Sequence, residues 1–189
     1  LLQDYKKDLN ERKINLDDDY IKFIRFAENA IEKTGSGIVA MITNNSFIDG
    51  VTHRQMRKHL METFDEIYIL DLHGSATKKE KAKDGGKDEN VFAIQQGVSI
   101  NLFVKTKGAS NARARVHHTE LLGTQAYKFE QLNALNFATV NWTELNPDEQ
   151  YAFFVPKDFG LQKKYEEGFK VEEIFKCGSS GMESAKDGF

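Results

Sequence analysis

The chain has 189 residues, with 26 Lys and Arg against 29 Asp and Glu and a formal net charge of -3. That length holds one ordinary domain or two small units, and charges of both signs mixed with apolar residues indicate a globular chain rather than a disordered one. The charge balance gives no global footprint for nucleic acid, so any such role must rest on a local patch.

Cys177 is the single cysteine, which excludes an internal disulfide and any multi-cysteine zinc site. No run of about 18 apolar residues is available to span a bilayer, so no membrane partner is expected and the cytoplasm is the default compartment. Leu1 opens a polar stretch rather than the apolar region of a signal peptide.

Residues 17–31 predict a helix, with Tyr20, Phe23, Ile24, Ala27 and Ile31 on one face behind the acidic group Asp17, Asp18 and Asp19. Gly35 and Gly37 break it, and Ile38 to Ile42 form a continuous apolar run, the pattern of a central strand in a sheet covered on both faces. Residues 52–64 predict a second amphipathic helix, Met56, Leu60 and Met61 facing inward and Arg54, Arg57 and Lys58 outward, with Thr52 as its cap. A second strand follows at Ile67 to Leu70. Between Gly74 and Asn90 the composition turns to Lys, Asp, Glu and Gly without periodicity, which predicts a long loop. Gly97 to Lys105 predicts a third strand and Arg113 to His117 a fourth, and strand, loop, strand without a helix implies an antiparallel pair at one edge. After Thr124 the pattern resets, with a helix to Leu135, an extended stretch from Val140 to Leu145, and the aromatics Tyr151, Phe153 and Phe154. The small, polar tail from Cys177 to Phe189 cannot close a core alone.

Two absences constrain the chemistry. No glycine-rich turn follows a first strand to cradle a nucleotide cofactor, and the prolines Pro147 and Pro156 are isolated, whereas amino-methyltransferases acting on DNA bases use an Asn or Asp followed by two prolines and an aromatic. The histidines His53, His59, His73, His117 and His118 match no compact metal pattern. They read as surface or loop residues, with His117 and His118 pointing oppositely on a strand. Asn44, Asn45, Ser46 and Phe47 follow a buried strand, at the end where ligands bind in open α/β sheets, although a simple turn would use the same residues.

The order of these pieces from Asp17 to Lys107 resembles the gamma-type adenine-N6 DNA methyltransferases, particularly those inside large single-chain restriction-modification proteins of type IIG and single-polypeptide type I. The segment Tyr20 to Phe23 resembles the helix after the catalytic loop of that family. Gly37 to Phe47 resembles its fifth strand and exit turn, and Asn90, Val91 and Phe92 the segment that stacks on a flipped base. The resemblance implies an α/β fold, the C-terminal half of a Rossmann-like class I methyltransferase sheet with an antiparallel edge hairpin. Residues 1–123 would then be the C-terminal part of the methyltransferase domain, and 124–189 a connector leading toward a target-recognition region.

It also implies S-adenosyl-L-methionine as cofactor, with Phe23 and Tyr20 near it, and double-stranded DNA as partner. Phe92 is implied as the ring on the flipped adenine, and Arg54, Arg57, Lys58, Lys78 and Lys79 as DNA-contact candidates. The catalytic loop would lie upstream of Leu1, so this segment alone would be inactive. Two readings without the family remain for the aromatics: core packing for Phe23, and a hydrophobic plug for Phe92. Two other functions remain as well, a DNA-binding connector without catalysis and a different nucleotide-binding α/β enzyme.

Overall fold

The computed structural model describes residues 2–11, 16–82, 84–108 and 113–175. Lys83 and the tail from Cys177, with its glycines Gly178, Gly181 and Gly188, lie outside them. Two compact units are present, Leu1–Pro156 and Lys157–Phe189.

In the first unit a short helix α1 (Gln3–Lys6) precedes α2 (Asp19–Thr34), which the Gly35 amide closes by bonding Ile31 O at 2.8 Å. Ile21, Ile24, Arg25 and Glu28 form the buried stripe of α2. Phe23 and Phe26 lie on its opposite side, 63% and 66% exposed, so the expected inward position of Phe23 is corrected: its helical spacing was compatible with two faces. Strand β1 (Gly37–Asn44) leads through α3 (Ser46–Asp49) and a 3-10 turn (Val51–His53) into α4 (Arg54–Thr63). Thr52 therefore lies inside the turn rather than capping a helix. Met56, Leu60 and Met61 are buried as the spacing predicted, but so is Arg57.

Strands β2 (Glu66–Asp71), β3 (Val98–Lys105), β4 (Arg115–Glu120) and β5 (Thr143–Leu145) complete a five-stranded sheet in the order β1-β3-β2-β4-β5. β3 is antiparallel to both β1 and β2, while β2 and β4 are parallel. The expected antiparallel pairing is present, but the edge position is not. β3 sits between β1 and β2, and β1 is an edge strand of the sheet among the described residues rather than a central one.

One sheet face packs Val39, Ile67, Ile69, Phe103 and Val116 against Ile24, Met56 and Leu60. On the other face Tyr68 meets Phe137 and Trp142 at 4.9 and 5.2 Å, whereas Ile38 and Ile42 remain mostly exposed. Helix α5 (Gln125–Ala134) begins at Thr124, whose side chain accepts from the Tyr127 amide. With α5, β5 and the buried Phe154, the first unit continues past Thr124 to Pro156. The second unit carries α6 (Gln162–Glu166) and α7 (Val171–Ile174). No helix among the described residues is long and apolar enough to cross a membrane.

Candidate functional site

The parallel strands β2 and β4 end near the exit of β1, the end of an α/β sheet where ligands are held. Here Asn45, only 2% exposed, donates through Nδ2 to Asp71 Oδ1 at 2.8 Å, and the same oxygen accepts the His73 amide at 2.9 Å. The Asn45 amide bonds Gly97 O. A Cβ at Gly97 would stand 2.8 Å from the Asn45 side-chain amide, so a larger residue there would push Asn45 off Asp71. The strand-exit reading of Asn44 to Phe47 is refined by these contacts. Asn44 Oδ1 caps the turn by accepting from the Ser46 amide and hydroxyl, Asn45 ties β1 to β2, and Phe47 is core.

The long loop is anchored at several points. Asp88 accepts from the Gly74 and Gly123 amides at 2.7 Å each and pairs with Lys128 Nζ at 2.7 Å, both side chains almost fully buried. Lys128 also donates to Leu72 O and Glu89 O. Gly74 has φ +82°, and a Cβ there would lie 2.5 Å from Asn90 Cα. The Asn90 side chain donates to Gly74 O and Gln96 O and accepts the Phe92 amide. It thereby closes a turn over residues 90–96. Val91 points into a small core with Leu72 and Val98, whereas Phe92 and Ile94 are 45% and 47% exposed. Phe92 is thus not a buried plug; Val91 fills that place.

His73 lies between Glu80 and Glu120, at 3.0 and 3.3 Å. Burial alone would lower its pKa, but Asp71, Glu80 and Glu120 outweigh that and raise it. His118, on the buried face, has its pKa lowered by burial. His117, on the other face, stacks on Tyr68 with ring centroids 4.5 Å apart and bonds Glu66. His53 is buried too, and burial, then the nearby Arg57, brings its pKa down to about 4. The expectation of surface histidines is therefore corrected for His53 and His118: each side chain packs into the core with one ring nitrogen lacking a hydrogen-bond partner.

The expected DNA-contact residues separate. Arg57 is fully buried and donates to the carbonyls of Phe47, Gly50, Tyr151 and Ala152. It is a structural clamp, which corrects its expected outward position. Arg54 pairs with Glu11, Lys78 pairs with Asp49 at 2.9 Å, and Lys58 is half-buried on α4. Lys79 is exposed on the loop. Of the expected cofactor neighbours, Phe23 is free to meet a ligand. Tyr20 instead packs near Phe47, with its hydroxyl 3.4 Å from His53 Nε2.

A cluster missed in the sequence joins α1, α2 and α4. Glu28, Glu32 and His59 bring donor atoms within 4.8 Å of one another. The spacing would suit a cation, but the Arg25 guanidinium already reaches Glu28, Glu32 and Asp4, and Tyr5 donates to Glu28. These acids are thus already engaged by protein groups, and the cluster fastens α1 to the helical layer.

The fold and site define a mixed α/β sheet segment carrying an anchored loop at the carboxyl ends of its parallel strands. Similar segments occur in solved structures of DNA complexes, two of them of type ISP restriction-modification enzymes. The ATP-dependent type ISP restriction-modification enzyme LlaBIII bound to DNA matches with TM-score 0.72 and 29% identity, over 86% of this chain and 11% of that one. A DrdV–DNA complex matches with TM-score 0.68 and 28% identity, over 80% and 15%. A nuclease-deletion mutant of the type ISP enzyme LlaGI with a DNA substrate mimic shares the fold with TM-score 0.71 and 22% identity, over 86% and 16%. The chain thus spans 11–16% of the length of these structures. No family model and no curated protein matches the chain.

Proposed function

We propose that this chain is the C-terminal part of the methyltransferase region of a restriction-modification enzyme that methylates the N6 of an adenine flipped out of DNA. The observation that carries this reading is the exposed Phe92 ring on a turn held by Asn90, Gly74 and the buried Asp88–Lys128 pair. An enzyme that modifies a base must take it out of the stack and hold it against an apolar or aromatic surface. A rigid turn presenting one exposed ring meets that need, because the ring loses little freedom when a base lies on it.

S-adenosyl-L-methionine, when bound, would supply the methyl group. Phe23 fits one wall of a site for its adenine ring, being an exposed aromatic on a well-packed helix. Tyr20 fits less well, since its ring and hydroxyl are already engaged. Neither residue is assigned a step in the transfer.

The test uses the intact enzyme and DNA with 2-aminopurine at the target position. Flipping raises its fluorescence and stacking on Phe92 quenches it, so Phe92→Ala should brighten the complex and slow methylation of normal DNA. Unchanged fluorescence and an unchanged rate would overturn the reading.

A further inference from the structure

The loop between β2 and β3 has a second feature beside the Phe92 turn. A cleft of about 350 Å³ opens between Ser75, Lys79, Lys81, Gly86 and Lys87. Lys81 and Lys87 face each other across an antiparallel bridge, and Lys79 enters from a left-handed turn with φ 49°. All three are exposed.

The acids nearest these lysines are largely committed elsewhere. Glu80 and Asp88 also line the cleft: Glu80 directs its Oε1 to His73 while its buried Oε2 has no hydrogen-bond partner, and Asp88 spends both oxygens on backbone amides and Lys128. Asp84 remains, turned to the Gly86 amide. None of the three lysines has an ion-pair partner among the described residues, in contrast to Lys78, which is held by Asp49. The cleft is therefore a local cationic patch on a chain whose net charge is negative.

Its wall is shared with the aromatic turn. The Ala76 amide bonds Gln95 O at 2.9 Å, and Gly74 bonds Asn90. A strand whose base lay on Phe92 would carry its neighbouring backbone past this wall. Lysines act on phosphate as mobile point charges, and three of them around an open cleft suit a phosphodiester.

We propose that Lys79, Lys81 and Lys87 form a seat for one or two phosphodiesters of the DNA strand whose base reaches Phe92. This rests on the DNA reading above and specifies which part of the strand the loop holds. The phosphate contact positions the strand and carries no sequence information itself.

The experiment measures DNA affinity of the intact enzyme against salt concentration. Neutralising one or two phosphates contributes about 0.9 each to the slope of log affinity against log salt. The variant Lys79→Gln/Lys81→Gln/Lys87→Gln should flatten that slope by about 1 to 2, equally on cognate and unrelated DNA. Substitution of the three by Arg should restore it, and Lys78→Gln should leave it unchanged. A wild-type slope in the triple variant, with DNA binding intact, would overturn the seat alone. Loss confined to cognate DNA, or equal flattening by Lys78→Gln, would also overturn it. A wild-type enzyme that binds no DNA would instead remove the underlying function and the seat with it.

Discussion

Lys128 Nζ and Asp88 Oδ1 lie 2.7 Å apart with both side chains almost fully buried, and this pair fastens the long loop to α5. The ammonium also reaches two carbonyls and the carboxylate two amides, so each charge is compensated without water. Removing one partner leaves the other charged and buried, which costs about 3 to 5 kcal/mol. Lys128→Ala should lower the unfolding free energy of this chain by that amount in urea titration. A loss below about 1 kcal/mol would show that the loop is not fastened there.

Arg57 tests the distinction between a clamp and a DNA contact. Its guanidinium joins the α3 region to the Tyr151–Ala152 backbone, and Arg57→Met would strip several buried carbonyls of their donor, at about 1 to 3 kcal/mol for each one left unsatisfied. We expect a stability loss of at least about 2 kcal/mol by denaturant unfolding. Where the variant remains folded, the salt dependence of DNA binding in the intact enzyme should be unchanged. A stable variant with a flattened salt slope would reverse the assignment.

The contrast between these residues and the sequence reading has physical causes. The apolar run Ile38 to Ile42 and the spacing of Met56 and Leu60 specify a strand and a helix locally, and both form as expected. Sheet order is a property of long-range pairing, and nothing in the alternation of Val98 to Val104 states that β3 enters between β1 and β2. The long loop before β3 was legible in the composition from Gly74 to Asn90. Its anchor was not, because Asp88 and Lys128 look like ordinary surface charges until the chain brings them together. Arg57 misled for the same reason: an arginine among charged neighbours on a helix reads as exposed, and only the folded chain reveals the carbonyls it satisfies. The exposure of Phe23 could have been suspected from Phe26, since the two share a helical face that Ile21 and Ile24 do not.

His53 gives the fold an acid sensitivity with a defined sign. Its pKa falls from the ordinary value near 6.5 to about 4 on folding, so the folded state resists a proton that the unfolded chain accepts. The stability this contributes is fully present above pH 6.5 and is lost as pH falls toward 4, up to about 3 kcal/mol in total. His59 and His73, whose pKa values are raised, act in the opposite sense: their contributions are present below pH 6.5 and are lost as pH rises through their folded-state values. The His53 effect is therefore read as a difference. His53→Gln should remove up to about 1.4 kcal/mol per pH unit from the slope of unfolding free energy between pH 6.5 and 4. Parallel curves for variant and wild type would show that His53 is protonated in the folded chain.

Val91 and Phe92 are neighbours with opposite environments, 4% and 45% exposed, and this separates structural from ligand-facing roles without any knowledge of the DNA site. Val91 packs with Leu72 and Val98 beneath the turn. Val91→Ala removes the equivalent of two buried methylene groups, about 1.6 kcal/mol at about 0.8 each. Phe92→Ala should change the stability of the chain by less than about 0.5 kcal/mol, the range for surface substitutions, and Phe92→Trp should fold as well as the wild type because no core must expand around it. In the intact enzyme the order reverses. Phe92→Ala should weaken the interaction with a flipped adenine by about 1 to 3 kcal/mol, the range for base–aromatic stacking, and Phe92→Trp should retain most of the methylation rate. If Phe92→Trp lowers chain stability by the 1 to 3 kcal/mol typical of overpacking, roughly as much as Val91→Ala, then Phe92 serves the core and the base-stacking role fails.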